Sequence, residues 1–253
     1  MEIIFLGTGG GRINLIEQER GTGGFRIIGD INFHVDPGPN ALAQLHKAKI
    51  DPKDCSVLII THRHVDHCND ANVILEAMTD YTRKKDGEIL IATRNCLFGD
   101  DKAVTSYHQR LPSRIEILEE KEIEINFGNK SAKVIPKKAI HDEKTARGFI
   151  LEMGGKKVGY TTDTEYFKGL GEQYKGVDLL ILNVLRPENK AIPGHMDREG
   201  AILTLNEAKP RYTLINHMGM EFTKEVLERE LGMIRKRTGC RVDGAEDFMR
   251  IRV

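Results

Sequence analysis

The sequence predicts an α/β fold: one domain spanning residues 1–253, with two sheets packed between helices. Short apolar, β-branched runs of strand length fall into two clusters along the chain, and each cluster is followed by segments with helical apolar spacing. That alternation suits a layered domain with a shared core. A chain of 253 residues with 40% hydrophobic residues is long enough to bury such a core.

In the first cluster, Glu2–Leu6 reads as a buried strand that ends in Gly7-Thr8-Gly9-Gly10-Gly11. A glycine run at a strand end lets the backbone turn sharply and approach a ligand. Phe25–Ile28 and Ile31–Val35 read as strands joined by a turn at Gly29-Asp30. Pro39 is expected to open a helix carrying Leu42, Leu45 and Ala48. Val57–Ile60 is a buried strand, and Asn69 or Asp70 is placed to cap the next helix, with Val73, Ile74, Ala77 and Met78 at helical spacing. Residues 80–112 mix charge with short apolar pieces, including a strand at Ile89–Ala92, and are expected to form an insertion that shapes the substrate site.

In the second cluster, strands are expected at Ile115–Leu118, Ile123–Phe127, Ala132–Pro136, Gly148–Met153, Val158–Tyr160 and Leu179–Leu182, with a hairpin turn at Gly154-Gly155. Arg198–Ala208 and Lys224–Arg237 read as helices flanking the strand Tyr212–Ile215, and the chain closes on Met249–Val253.

Lysines plus arginines equal aspartates plus glutamates at 38 each, so no global positive field draws the chain to nucleic acid or an anionic membrane. The first apolar run, Ile3–Leu6, is shorter than a signal-peptide core or a membrane span, and a cytoplasmic protein without membrane association is expected. Cys55, Cys68, Cys96 and Cys240 are widely spaced without a Cys-x-x-Cys pair, which reads as reduced, structural cysteine.

The chemistry is concentrated after the strand Val57–Ile60, in Thr61-His62-Arg63-His64-Val65-Asp66-His67. Residues two apart in an extended stretch point to one side, so His62 and His64 can share a metal ion while Asp66 and His67 turn toward a second. Imidazole and carboxylate suit divalent zinc, iron or manganese. The chain has 9 histidines, and three of them sit in this stretch with an aspartate among them, which argues against a polar loop rich in histidine by accident.

This stretch resembles the His-x-His-x-Asp-His motif of the metallo-β-lactamase superfamily. Further residues match the downstream ligands of that family in order. His141 resembles the third histidine of the first metal site, Asp163 the bridging aspartate, and His217 the last histidine of the second site. Phe5-Leu6-Gly7-Thr8-Gly9-Gly10 resembles the opening of the ribonuclease Z branch. The resemblance implies an αββα four-layer sandwich and two divalent ions, zinc expected, with manganese or iron as alternatives. The ligands it implies are His62, His64, Asp66, His67, His141, Asp163 and His217. His34, His46 and His108 have no such support and are expected to be structural or surface residues; Cys68 is expected to pack beneath the site.

Two dications repel, so bridging anions are needed, which Asp163 and a hydroxide can supply; with Asp66 counted as well, such a site is left at about +1, which favours an anionic substrate. Metal coordination brings the pKa of bound water to about 7, a nucleophile at neutral pH, and Asp66 is counted with the catalytic residues as well as the ligands. Pro193-Gly194-His195-Met196 resembles a Gly-His segment that lies beside the metals in ribonuclease Z and related phosphodiesterases, which makes His195 the candidate for assisting the leaving group.

The chain departs from ribonuclease Z in two places. Asn183-Val184-Leu185-Arg186 stands where that enzyme carries a glutamate, and the 21 residues between His141 and Asp163 are filled by a hairpin, leaving no room for a tRNA-gripping arm. With the balanced charge, this points away from tRNA and toward small phosphodiesterases, including the cyclic-phosphate phosphodiesterases of phosphonate metabolism. Arg186 and Lys190 are candidates for phosphate contact or for plain surface solvation. The rival readings are a carbon-centred hydrolase of a lactone, thioester or β-lactam, and a non-catalytic protein that uses the metals for scaffolding or nucleotide recognition. A diiron flavoprotein would place an acid where His64 stands. Homodimerisation is common in this branch.

Overall fold

The structure is a computed structural model that describes residues 1–80 and 87–253. Its strands form two seven-stranded sheets. The first sheet takes β1 (Glu2–Phe5), β2 (Phe25–Ile28), β3 (Phe33–Val35), β4 (Val57–Ile60), β5 (Ile89–Ala92), β6 (Arg114–Ile117) and the last strand, β14 (Arg250–Arg252), in the order β14-β1-β2-β3-β4-β5-β6. The second takes β7 (Ile123–Phe127), β8 (Lys130–Lys138), β9 (Arg147–Met153), β10 (Lys156–Tyr160), β11 (Leu179–Asn183), β12 (Thr213–Asn216) and β13 (Val242–Gly244), in the order β13-β12-β11-β10-β9-β8-β7.

Seven α-helices are described: α1 (Gly11–Glu17), α2 (Ala41–Lys47), α3 (Val65–Cys68), α4 (Ala71–Met78), α5 (Arg94–Leu97), α6 (Arg198–Ala208) and α7 (Lys224–Thr238). Residues alternate along the strands between two apolar layers. Phe5, Ile27, Val35 and Ile59 of the first sheet meet Val134, Phe149, Val158 and Ile181 of the second in the inter-sheet core. Leu58, Ile60 and Leu90 face outward onto Leu45 of α2 and Ile74, Leu75 and Met78 of α4. Leu180, Leu182 and Ile215 face Leu205 of α6 and Leu231 and Ile234 of α7 on the other side. The result is an αββα sandwich. Strands covered on both faces are apolar at every position, as Val57–Ile60 and Leu179–Leu182 are.

Strand direction locates the functional edge. β1 is antiparallel to β2 and β2 to β3, whereas β3, β4, β5 and β6 are parallel, so β1, β3 and β4 end on the same side. In the second sheet β8 to β10 form an antiparallel meander and β10 to β13 are parallel, so β8, β10, β11 and β12 also share one exit edge. Loops after parallel strands converge there, the usual place for a ligand in open α/β sheets.

Several element boundaries differ from expectation for local reasons. β3 begins at Phe33, because the Asn32 side chain accepts from Gly29 N (3.2 Å) and closes the turn. Pro39 lies outside α2, whose cap position is Asn40 in a left-handed conformation. Asp70 does precede α4, but its carboxylate accepts from Leu42 N (3.4 Å) on α2 instead of capping its own helix. Helices α1, α3 and α5 and strand β13 had no signal in the sequence reading. Within 80–112, residues 81–86 lie outside the described residues, while β5 pairs with β4 and β6 in the body of the first sheet. Among the described residues, no helix is long and apolar enough to cross a membrane.

Candidate metal centre

The seven expected ligands reach one place from four strand ends. His62 and His64 leave β4 in extended backbone, and the single turn of α3 then swings Asp66 and His67 toward the same point. His141 follows β8, Asp163 follows β10 and His217 follows β12. Their ligand atoms form groups lying within 4.8 Å of one another: His62, His64 and His141; His62, His67 and Asp163; Asp66, His67 and His217; and His141, Asp163 and His195.

Ring nitrogens face one another inside this cluster. His67 Nε2 is 3.0 Å from His217 Nε2, and His141 Nε2 is 3.1 Å from His64 Nδ1. His62 Nε2 is buried with no hydrogen-bond partner among the described residues. An orphaned imidazole nitrogen and paired nitrogens aimed at a common point fit a bound cation, since a buried lone pair without a partner is costly. Their outer nitrogens are held. His67 Nδ1 meets Asp36 Oδ2 at 2.9 Å and His141 Nδ1 meets the Gly194 carbonyl at 2.8 Å, which turns each Nε2 inward.

The charges agree with that fit. Burial by itself would raise Asp66 and Asp163, yet the neighbouring imidazoles of His67 and His217 draw both carboxyls far below the ordinary range. Burial would likewise lower His67, but Asp163, Asp66 and Asp36 hold it well above the usual histidine value. His62 is pushed well down by burial and by the His67 cation.

Residues 31–218 match the family described as the beta-lactamase superfamily domain. The chain belongs to this superfamily. A curated relative, an uncharacterized protein of Methanocaldococcus jannaschii, is 37% identical over 96% of this chain and 91% of its own length. Ribonuclease Z of Borreliella burgdorferi strain ZS7 is 27% identical over 85% of this chain and 87% of its own. Among solved structures, the metallo-β-lactamase fold protein YhfI of Bacillus subtilis superposes with a TM-score of 0.77 at 19% identity, covering 99% of this chain and 98% of its own. A diphosphatase of the PhnP family superposes with a TM-score of 0.70 at 17% identity, covering 100% and 97%. These likenesses establish the metallo-β-lactamase fold and place the chain near the branch expected from its motifs.

The superfamily domain also uses residues that the sequence reading passed over. Asp36, read as part of a chain break, is buried at the end of β3 with φ +49°. It accepts from Thr61 N (2.8 Å), Thr61 Oγ1 (2.6 Å), His67 Nδ1 (2.9 Å) and Tyr160 Oη (3.0 Å), and so ties the histidine motif to both sheets. Asn183, standing where an acid was missed, donates to Asp163 Oδ1 at 2.8 Å. Asp142 brings Oδ1 to 3.0 Å from His141 Nε2 at the exposed lip. The N-terminal glycine loop packs on the last ligand: a Cβ on Gly10 would lie 2.1 Å from His217 Nδ1.

Beside the cluster, the superfamily fold holds a cavity of about 790 Å³. His195 lines it, with Nδ1 3.5 Å from Asp163 Oδ2 and its ring against those of His141 and His217. Burial lowers His195 to about 4, against a counteracting pull from Asp163. Arg186 lines the cavity too, but its guanidinium is paired with Glu221, and Lys190 reaches Glu188 (3.1 Å) and Glu221 (3.9 Å). None of the described residues of 80–112 lines it; α1 and the 185–195 and 219–221 loops form the walls. His34 is buried on β3, His46 is exposed, and His108 pairs with Glu76, all away from the cluster. Cys68 is buried beneath the motif with Sγ toward the Arg63 carbonyl (3.2 Å).

Proposed function

We propose that this chain is a dinuclear metal-dependent phosphodiesterase acting on a small anionic phosphodiester or cyclic phosphate. His62, His64 and His141 would hold one ion, Asp66, His67 and His217 the other, and Asp163 stands between the two groups. Two bound divalent ions, zinc by preference from the imidazole-rich donor set, polarise phosphoryl oxygens and activate water near neutral pH. Hydrolysis adds water oxygen to phosphorus, breaks the bond to the leaving oxygen, and requires a proton at that oxygen.

The observation that carries the reading is His195. It is the eighth imidazole-or-carboxylate group at the centre, yet it lines the cavity with its side chain 18% exposed, so substrate can reach it. Asp163 faces Nδ1, which leaves Nε2 for a substrate oxygen, and Asp163 together with a bound anionic phosphate would oppose the burial that lowers His195, so that Nε2 could carry the proton. Gly194 keeps the histidine in place: its N–H donates to Glu165 Oε2 (3.0 Å) and its carbonyl accepts from His141. A left-handed φ of +78° and a Cβ position 2.7 Å from His141 Nδ1 reserve that site for glycine. The ribonuclease Z relative and the PhnP-family diphosphatase both bear names of enzymes that act on phosphate esters or anhydrides, which supports phosphorus over carbon as the reacting centre.

The test is turnover of bis(4-nitrophenyl) phosphate by protein loaded with zinc, manganese or iron, beside thioester and lactone assays. On a cyclic alkyl phosphate, whose alkoxide leaves only with a proton, His195→Ala is expected to lower kcat by about 10²–10⁴-fold, and by far less on the aryl ester, whose 4-nitrophenolate needs no proton. Wild-type inactivity on the phosphodiester with all three metals would overturn the phosphodiesterase reading. Unchanged turnover of the cyclic alkyl phosphate in the variant would remove His195 from the reaction.

A further inference from the structure

We infer that α1 selects the substrate: a phosphodiester whose second, non-leaving ester group is apolar, aryl or branched alkyl, instead of a sugar. The inference rests on the phosphodiesterase reading for its reaction, but its physical basis is the cavity wall. The metal cluster forms one end of the cavity through His64, Asp66, Asp163 and His195. Facing away from that end are Ile13 and Ile16 of α1, Val65 of α3, and Leu185 and Ile192. Ile13 is 65%, Ile16 77% and Val65 52% exposed, so three branched apolar side chains stand in solvent beside a charged centre.

These isoleucines do not anchor their own helix. The one buried residue of α1 is Asn14. Its amide donates to the Arg20 carbonyl (2.9 Å) and its carbonyl accepts from Arg20 N (3.1 Å). The start of the helix is tied to the centre by Gly11 N donating to Asp66 Oδ2 (3.3 Å). Polar bonds hold α1 and leave its isoleucines free to contact something else.

Arg12 of α1 lines the cavity as an exposed cation suited to a phosphate, and the other polar groups of the wall offer little to read a sugar or a base edge. Asn14 has both side-chain atoms engaged, and the Arg186 guanidinium is held by Glu221. A site built for hydroxyls places unengaged donors and acceptors around them, because discrimination comes from polar groups left unpaired by the wrong ligand. An apolar wall next to an anion-binding end instead fits a ligand with one charged and one apolar part.

The experiment compares bis(4-nitrophenyl) phosphate with methyl 4-nitrophenyl phosphate. Both release 4-nitrophenol and differ in the retained ester. The readout is the aryl-to-methyl ratio of kcat/KM in the metal-loaded wild type and in the double variant Ile13→Ser, Ile16→Ser. The ratio is expected to fall by about ten-fold or more in the variant; a ratio constant within about two-fold overturns the inference. Calorimetry with phenylphosphonate and methylphosphonate separates this from the reaction itself. If neither ester is hydrolysed but the wild type prefers phenylphosphonate and the variant does not, the wall stands and only the phosphodiesterase reading fails. Equal preference in both proteins overturns the wall whatever the turnover. Sedimentation of both proteins guards the remaining case: a wild-type dimer that the two serines convert to monomer means that a second copy covers this face, which also overturns the inference.

Discussion

Two single residues show how the backbone of the first sheet serves the centre. Asp36 meets four donors, two from Thr61 just after β4, one from α3 and one from β10, so its carboxylate cannot become a carboxamide without presenting an N–H to at least one of them. Asp36→Asn is expected to release His67 from its inward tautomer and weaken metal binding by about 10–100-fold, the usual cost of losing a partner behind a ligating histidine. Competition with a chromogenic chelator measures this, and an affinity equal to the wild type would show that His67 is oriented by something else. His34, two residues earlier, is buried with Nε2 at 2.9 Å from the Gly23 carbonyl and lies across from Arg26 in the neighbouring strand. Burial first, then the Arg26 cation, lowers it from 6.5 to about 3. The folded state thus prefers neutral His34: that stability is complete above pH ~6.5 and is lost progressively as pH falls toward ~3. At pH 5 the loss amounts to about 2 kcal/mol, or roughly 4–8 °C in Tm for a chain of this size. Thermal melts in chelator at pH 7 and pH 5 check it. His34→Gln, which keeps an amide toward Gly23, is expected to remove that part of the acid sensitivity, and an unaltered pH dependence in the variant would rule His34 out as its source.

Elements were legible where one physical signal dominates. β4 and the Leu179–Leu182 part of β11 are covered on both faces, so every position there is apolar and the strand announces itself. Asp197 and Thr223 accept from Gly200 N and Val226 N, and α6 and α7 are long enough for the helical period to emerge. α1 gave no such signal because it buries one asparagine and exposes its isoleucines, so its apolar pattern points away from the core. α3 is a single turn inside a motif that reads as extended. β13 carries an aspartate and a glycine in three residues, and its place comes from pairing with β12. The candidate ligands were legible for another reason: His62, His64, Asp66 and His67 fall within six residues, and that local pattern lends weight to isolated residues such as His141 and His217. Asp36 and Asn183 touch His67 and Asp163 from other strand ends of the same sheet, 31 and 20 residues away in sequence, and no spacing along the chain reveals such a contact; Asp142 stands next to His141 but belongs to no motif.

At the scale of the molecule the centre lies where the two sheets meet. His62, His64, Asp66 and His67 come from the first sheet and its following helix, while His141, Asp163 and His217 come from the second. The inter-sheet core is apolar and non-directional. At the exit edge, polar ties such as Asp36 to Tyr160 and Thr61 to Thr162 (2.6 Å) cross between the sheets. Ions held by both halves would act as further cross-links, and they would bind the native state far better than an unfolded chain in which His64 and His141 are 77 residues apart and His67 and His217 are 150 apart. Loading at about a thousand times the dissociation constant adds about 4 kcal/mol, or roughly 8–16 °C in Tm for a protein of this size. Melting the protein with metal and with chelator is expected to show that difference. His141→Ala, which removes a ligand contributed by the second sheet, is expected to shrink it, whereas His46→Ala, exposed on α2 outside the cluster, is expected to leave it intact. An identical Tm with metal and with chelator, together with elemental analysis finding no bound metal, would mean that the convergence of these side chains is not a metal centre, and the proposed hydrolysis would lose its basis along with the cross-link.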